Sequence, residues 1–242
     1  MVAYPHEREL AHLHHVRVLA SNQLGAADLG LKKILALSTL VSFEYALNIA
    51  PKPAYSELFR RSYAVLEKDR LVPPSVLVLA FGLAAYLQLD DRARLFDHRR
   101  PAYATIPSRE VRRNVRALWA TVVDALIASS RGDREAALLS ASEIRAGLRA
   151  SRFVKHTFLS LLTTADLIGA LLQDDGDRIL RAWVDREHFV YSCTKKKKDL
   201  YHPAGLLDLT ALAIADTTGT SGSYRPAFVP LLRPLTSCPR AS

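Results

Sequence analysis

Cysteine is nearly missing from this chain of 242 residues, which holds two, Cys193 and Cys238. Two thiols close at most one bridge and cannot build a thiolate metal framework, so a reducing compartment, the cytoplasm, is expected. Also absent are a glycine-rich phosphate loop, a Gly-x-Ser-x-Gly nucleophile elbow and a His-Glu-x-x-His zinc motif. No stretch alternates apolar and polar residues well enough to predict a strand. Long apolar runs are lacking too. The strongest, 34–49 and 76–89, fall short of the roughly 20 residues that a helix needs to cross a bilayer, and the first contains Glu44. Residues 1–9 carry charges with no apolar run behind them, so no secretory leader is expected. These absences leave a helical chain with 49% hydrophobic residues, enough for a substantial core, and no membrane partner.

What is present is helical periodicity, clearest over 108–148. Val111, Val115, Leu118, Trp119, Val122 and Leu126 recur at three- and four-residue spacing and predict one buried stripe, with Trp119 in the core. Arg109, Arg112, Arg113 and Arg116 fall on the other side. Gly132 is placed to end this helix in a left-handed conformation, and Asp133 to cap the next, which turns Ala137, Ala141, Ile144 and Leu148 inward. So short a turn forces the two helices antiparallel.

Along the chain, 6–23 reads as a helix with Leu10, Leu13, Val16 and Leu19 inward. A second, following Asp28, carries Leu31, Ile34, Leu35, Leu40, Phe43 and Leu47 and stops at Pro51 and Pro53. Ser56 and Ser75 are expected to cap a third and a fourth, the latter apolar on most sides. The aperiodic stretch 97–107 reads as the best boundary. The prediction is thus one helical domain, 1–242, with a possible subdivision into 1–100 and 101–242. The hairpin plan recurs where Phe158, Leu161, Leu162, Ala165, Ile168 and Leu172 precede a turn at Gly176 and Asp177, after which Ile179, Leu180, Trp183 and Val184 open a partner helix. A last helix over 206–215 follows His202 and Pro203, with proline in a favoured first-turn position. The fold class is all-α, a bundle or short solenoid of antiparallel hairpins with about eight or nine helices.

Candidate reaction centres are thin. Asp90 with Asp91, and Asp174, Asp175 and Asp177, could in principle hold magnesium, but the two-turn spacing on a helix face is absent and helix ends explain them. Glu9 and His12 have the Glu-x-x-His spacing of di-iron bundles without the second copy that such a site requires, and His14 and His15 read as helix surface. Cys193 lies near His188 and His202 in sequence only. No catalytic residue, metal site or cofactor is therefore expected, which favours a binding role over an enzyme.

The charge of +9 could mark a nucleic-acid surface. Its arginines are spread over many helices, however, and the dense run Lys195, Lys196, Lys197 and Lys198 has no interleaved aromatics for base stacking, so nucleic acid is the less favoured partner. A basic surface also steers an acidic protein partner. Arg109, Arg112, Arg113 and Arg116, together with the four lysines, are the candidate partner-binding residues.

From about residue 113 the order of features resembles the immunity protein 49 family of bacterial polymorphic-toxin systems. It is carried by Arg131, Gly132, Asp133, Arg134, Glu135, Ala136, Ala137; by Leu171, Leu172, Gln173 through Gly176, Asp177, with Trp183 and Glu187, His188, Phe189 behind them; by His202, Pro203, Ala204, Gly205, Leu206, Leu207; and by a proline-containing close at 224–232. About half the chain is covered, and the lysine-bearing stretch 193–199 departs from the pattern. The resemblance implies an all-helical cytoplasmic protein that binds and neutralises a cognate toxin, by occlusion and without catalysis. The alternatives are a tetratricopeptide-like helical-repeat adaptor for a protein or peptide, and a metal-dependent helical enzyme. The excess of basic residues further implies that the toxin is not a nuclease plugged by acidic mimicry, and that its bound surface is neutral or acidic. Charge reversal at Lys195 to Lys198 is predicted to slow association with that partner and flatten its salt dependence while leaving dissociation nearly unchanged, as measured by stopped-flow binding. Unchanged association kinetics would return the run to a solvated loop.

Overall fold

Helical periodicity governs the described part of the chain. The computed structural model describes residues 5–68, 72–90, 110–150, 152–194 and 207–220, excepting the side chains of 5–9, 110–113 and 191–194. Among these residues there are nine helices and no strand: α1 (Pro5–Ala26), α2 (Leu31–Ala46), α3 (Ala54–Leu66), α4 (Pro74–Tyr86), α5 (Glu110–Ser130), α6 (Arg134–Ala150), α7 (Lys155–Gln173), α8 (Gly176–Thr194) and α9 (Leu209–Thr217). The expected boundary at 97–107, Pro203 and the tail beyond 220 lie outside the described residues. No helix among the described residues is long and apolar enough to cross a membrane.

The α5–α6 hairpin forms for the reasons its sequence suggests. Gly132 takes a φ of +76°, and the Asp133 carboxylate accepts from the Ala136 amide at 3.1 Å, satisfying a donor that has no partner inside the helix. Ala137, Ala141, Ile144 and Leu148 are buried. The second turn assigns its duties differently. Asp174, at φ +55°, takes the left-handed position expected of Gly176, and Asp175 rather than Asp177 caps α8 through the Arg178 amide at 3.2 Å. Aspartate tolerates this conformation because its short polar side chain bonds locally. In α3 and α4 the expected serine caps are replaced by Pro53 and Pro73, and α4 opens on Pro74, whose missing N–H costs nothing in a first turn.

In α1 the buried positions are Leu13, Ala20 and Leu24, while Leu10 and Leu19 are 37% and 47% exposed, so the inward face is rotated from the one expected. Polar anchors set that rotation. Arg17 reaches buried Glu44 on α2 at 3.0 Å, and Lys33 of α2 donates to the Leu24 carbonyl at 2.6 Å. The Tyr55 hydroxyl also donates to Glu44, at 3.1 Å. Burial first, and then the Glu44 charge, push the Tyr55 phenol up to about 12.

Two helices, α4 and α9, are apolar almost all round and therefore have no solvent face to offer. They pack on each other in the interior. Gly82 makes the crossing possible, because a Cβ there would collide with the Leu209 carbonyl oxygen. Helices α5, α6, α7 and α8 pack in succession beside this pair, and α9 also touches α5 and α7. At its far end Ser129 of α5 donates to the Thr217 carbonyl at 3.2 Å. The last described helix thus returns to α4 of the first half, and the two halves share a core. Gly82→Ala should lower stability by about 1–3 kcal/mol or more, since backbone rather than a flexible side chain must give way. Gly25→Ala, with nothing among the described residues within 4 Å of the added methyl, should raise it by a few tenths of a kcal/mol through helix propensity. Urea denaturation of both variants checks the pair.

A candidate binding cleft between the two halves

The cleft is built around an arginine in an apolar stripe. On α8 the buried positions are Ala182, Arg186 and Phe189, while the apolar Leu180 and Val184 are 66% and 40% exposed. Arg186 is 5% exposed in its side chain and Asp208 is 11% exposed. The two meet in a bidentate pair, Nε to Oδ2 at 2.6 Å and Nη2 to Oδ1 at 2.9 Å. Arg186 Nη1 then donates to the Ser160 carbonyl at 3.1 Å and to the Thr163 and Thr164 hydroxyls at 3.1 and 3.0 Å. Asp208 is also the N-cap of α9, accepting from the Ala211 amide at 3.1 Å. One guanidinium therefore joins α7, α8 and the start of α9, and each charge is met by geometry specific enough to offset its desolvation. The Phe189 ring lies 5.3 Å from the guanidinium carbon, a cation–π contact, and 5.1 Å from the His156 ring.

Above this pair is an open cleft of about 440 Å³. It lies where the halves meet. It is lined by Leu35, Ser38, Thr39 and Ser42 of α2, Ser75 and Leu79 of α4, Trp119 of α5, His156 and Ser160 of α7, and Arg186, Phe189 and Val190 of α8. Residues 207–210 complete the lining, and the wall is mostly apolar. Size and lining match those of pockets that recognise ligands. Arg186 and Asp208 hold each other and are held by groups of fixed geometry, so neither is poised to carry a proton to a reactant.

Trp119 lies half-buried against the core and lines the cleft, where the stripe predicted a core position. Leu118, Val122, Val123, Ala125 and Leu126 fill the core in its place. Of the candidate partner-binding residues, Arg116 is half-buried rather than turned outward, and its Nη1 is buried with no hydrogen-bond partner among the described residues. Arg112 and Arg113 belong to α5, but their side chains are outside the described residues, as are Arg109 and Lys195, Lys196, Lys197 and Lys198 altogether. The cleft includes none of the eight among its described lining. Asp174 and Asp175 serve the turn, and among the described residues no group of three or more His, Cys, Asp or Glu is placed to hold a metal ion.

The residues that sequence reasoning missed are Arg186, Asp208 and the α2 hydroxyls. A signal for the first was present, because Arg186 stands four residues after Ala182 and three before Phe189 on an apolar stripe. Compared with family models, with curated proteins and with solved structures, the chain matches none.

Arg186→Met should cost about 3–5 kcal/mol, because it leaves the Asp208 carboxylate buried without its counter-ion. The double variant Arg186→Met, Asp208→Asn removes the stranded charge and keeps a residue able to cap α9, so it should be more stable than Arg186→Met alone. Urea denaturation of the two variants and of Asp208→Asn measures this coupling.

Proposed function

We propose that this chain is an immunity protein that binds a cognate bacterial toxin and neutralises it by occlusion, without catalysis of its own. The observation that carries the reading is the cleft. It is open and largely apolar, it is flanked by Trp119 and Phe189, and its two buried charges are spent on each other. Such a surface suits recognition, because aromatic residues on rigid helices supply contact area at little entropic cost while a neutralised floor does not penalise an apolar occupant. The family resemblance over the second half of the chain is what suggests a toxin as the partner.

The serial packing of α5 to α8 favours a second reading, a helical-repeat adaptor that holds a peptide of a host partner. The same cleft would serve it. What separates the two is the consequence of binding, since an immunity protein abolishes a toxin's activity.

The test is co-expression with the product of the adjacent gene. The immunity reading predicts that this gene encodes a modular toxin, that the toxin arrests growth alone, and that the chain restores growth while forming a stable complex burying on the order of 1,600 Å². A neighbouring toxin that stays active and unbound in the presence of the chain would overturn it.

A further inference from the structure

Three hydroxyls of the cleft, those of Ser38, Thr39 and Ser42 on α2, have a polarity that narrows what can enter. Ser38 Oγ and Thr39 Oγ1 both donate to the Leu35 carbonyl at 2.9 Å, and Ser42 Oγ donates to the Ser38 carbonyl at 2.8 Å. Each hydroxyl has one proton, and all three protons are committed to the backbone of α2. What these side chains can present to an occupant is oxygen lone pairs, so the α2 wall accepts hydrogen bonds. The rings of Trp119 and Phe189 also line the cleft, and Leu35 itself remains 38% exposed despite its place on the α2 apolar pattern. An occupant suited to these rings and to the α2 oxygens has an apolar, planar body and carries a hydrogen-bond donor. An occupant with only acceptors leaves the α2 oxygens without partners once water is expelled.

Charge adds a second constraint. Asp208 is the one carboxylate in the described lining, and Arg186 neutralises it. Where α7 begins, Arg152, Lys155 and the lining residue His156 are exposed, and the chain as a whole carries +9. A chain segment that places a neutral side chain in the cleft and acidic residues beside it meets a favourable field, whereas a basic one is repelled.

We infer that the cleft takes one tryptophan or tyrosine side chain, presented by an acidic segment of a partner protein, with its N–H or O–H donated to the hydroxyl oxygens of α2. This rests on the reading that the chain binds a protein. It names the anchor that such a partner must have. Tryptophan and tyrosine are also the residues in which binding energy concentrates at interfaces, since they combine large apolar area with one polar handle.

The experiment is selection of a random peptide library on the full chain, followed by binding of the selected peptides, fluorescein-labelled, to the chain and to Thr39→Phe. That substitution fills the cleft from a half-buried position and removes one acceptor. Circular dichroism melting selects for comparison a preparation of the variant that is folded, and Leu35→Trp serves as a second cleft-filling change should Thr39→Phe unfold. The inference predicts peptides with a single tryptophan or tyrosine among aspartates and glutamates, loss of about tenfold or more in affinity when that residue becomes phenylalanine, corresponding to one unmatched buried acceptor, and a similar loss on filling the cleft. A basic consensus, an anchor indifferent to replacement by phenylalanine, binding unaltered by either cleft-filling change, or no enriched peptide would each overturn it. Toxin neutralisation measured with the same variants keeps the two proposals apart. Full neutralisation by a cleft-filled protein would refute the cleft as the anchor site and leave the immunity reading standing, and failure of the unaltered protein to neutralise would refute that reading while the peptide result still decides the anchor.

Discussion

A guanidinium buried among apolar helices is tolerable only if every direction in which it points is answered, and Arg186 imposes that requirement on three helices together. Asp208 must stand beside it, which fixes where α9 begins. Thr163, Thr164 and the Ser160 carbonyl must face it, which fixes the rotation of α7. The same demand explains the face that α8 shows. Turning Arg186 inward brings Ala182 and Phe189 with it, and leaves Leu180 and Val184 exposed although they are the more apolar choice on paper. The loss of a few apolar contacts is smaller than the cost of an unpaired buried cation, so the charge decides the register.

The cleft follows from this arrangement. Because Asp208 both caps α9 and neutralises Arg186, the start of α9 can lie beneath an apolar opening without exposing an uncompensated charge to whatever enters. Gly82 allows α9 to approach α4 closely at Leu209, one residue beyond the cap, and so brings the first half of the chain against the second. Side chains of α2 and α4 then join those of α5, α7 and α8 in lining the opening. A structural ion pair and a close helix crossing together thus shape the cleft.

The sequence is legible where one helix face is polar and the other apolar. In α6 alanines and branched residues alternate with charge, and Ala137, Ala141, Ile144 and Leu148 are buried as the pattern requires. The same holds for Gly132 and Asp133, whose local chemistry needs no distant partner. Legibility fails for two reasons. Where a helix is mixed on several sides, as α1 is, periodicity does not choose a face, and Arg17 and Lys33 choose it through partners far along the chain. Where a buried position is charged, as at Arg186, a pattern built on hydrophobicity counts it as surface, although its spacing from Ala182 and Phe189 places it in the stripe. Trp119 shows a milder form of the problem, since it sits on the correct stripe but at its margin, where the core gives way to the cleft.

If the Arg186 clamp organises the seam, weakening it should loosen a defined part of the molecule rather than all of it. Native-state hydrogen exchange on Asp208→Asn measures this directly, residue by residue. The account predicts that amides in 156–164 of α7, 182–190 of α8 and all of α9 lose protection together, while those of α1 to α3 keep theirs. Loss of protection spread evenly over α1 to α3 as well, or unchanged protection in α7 to α9, would contradict it.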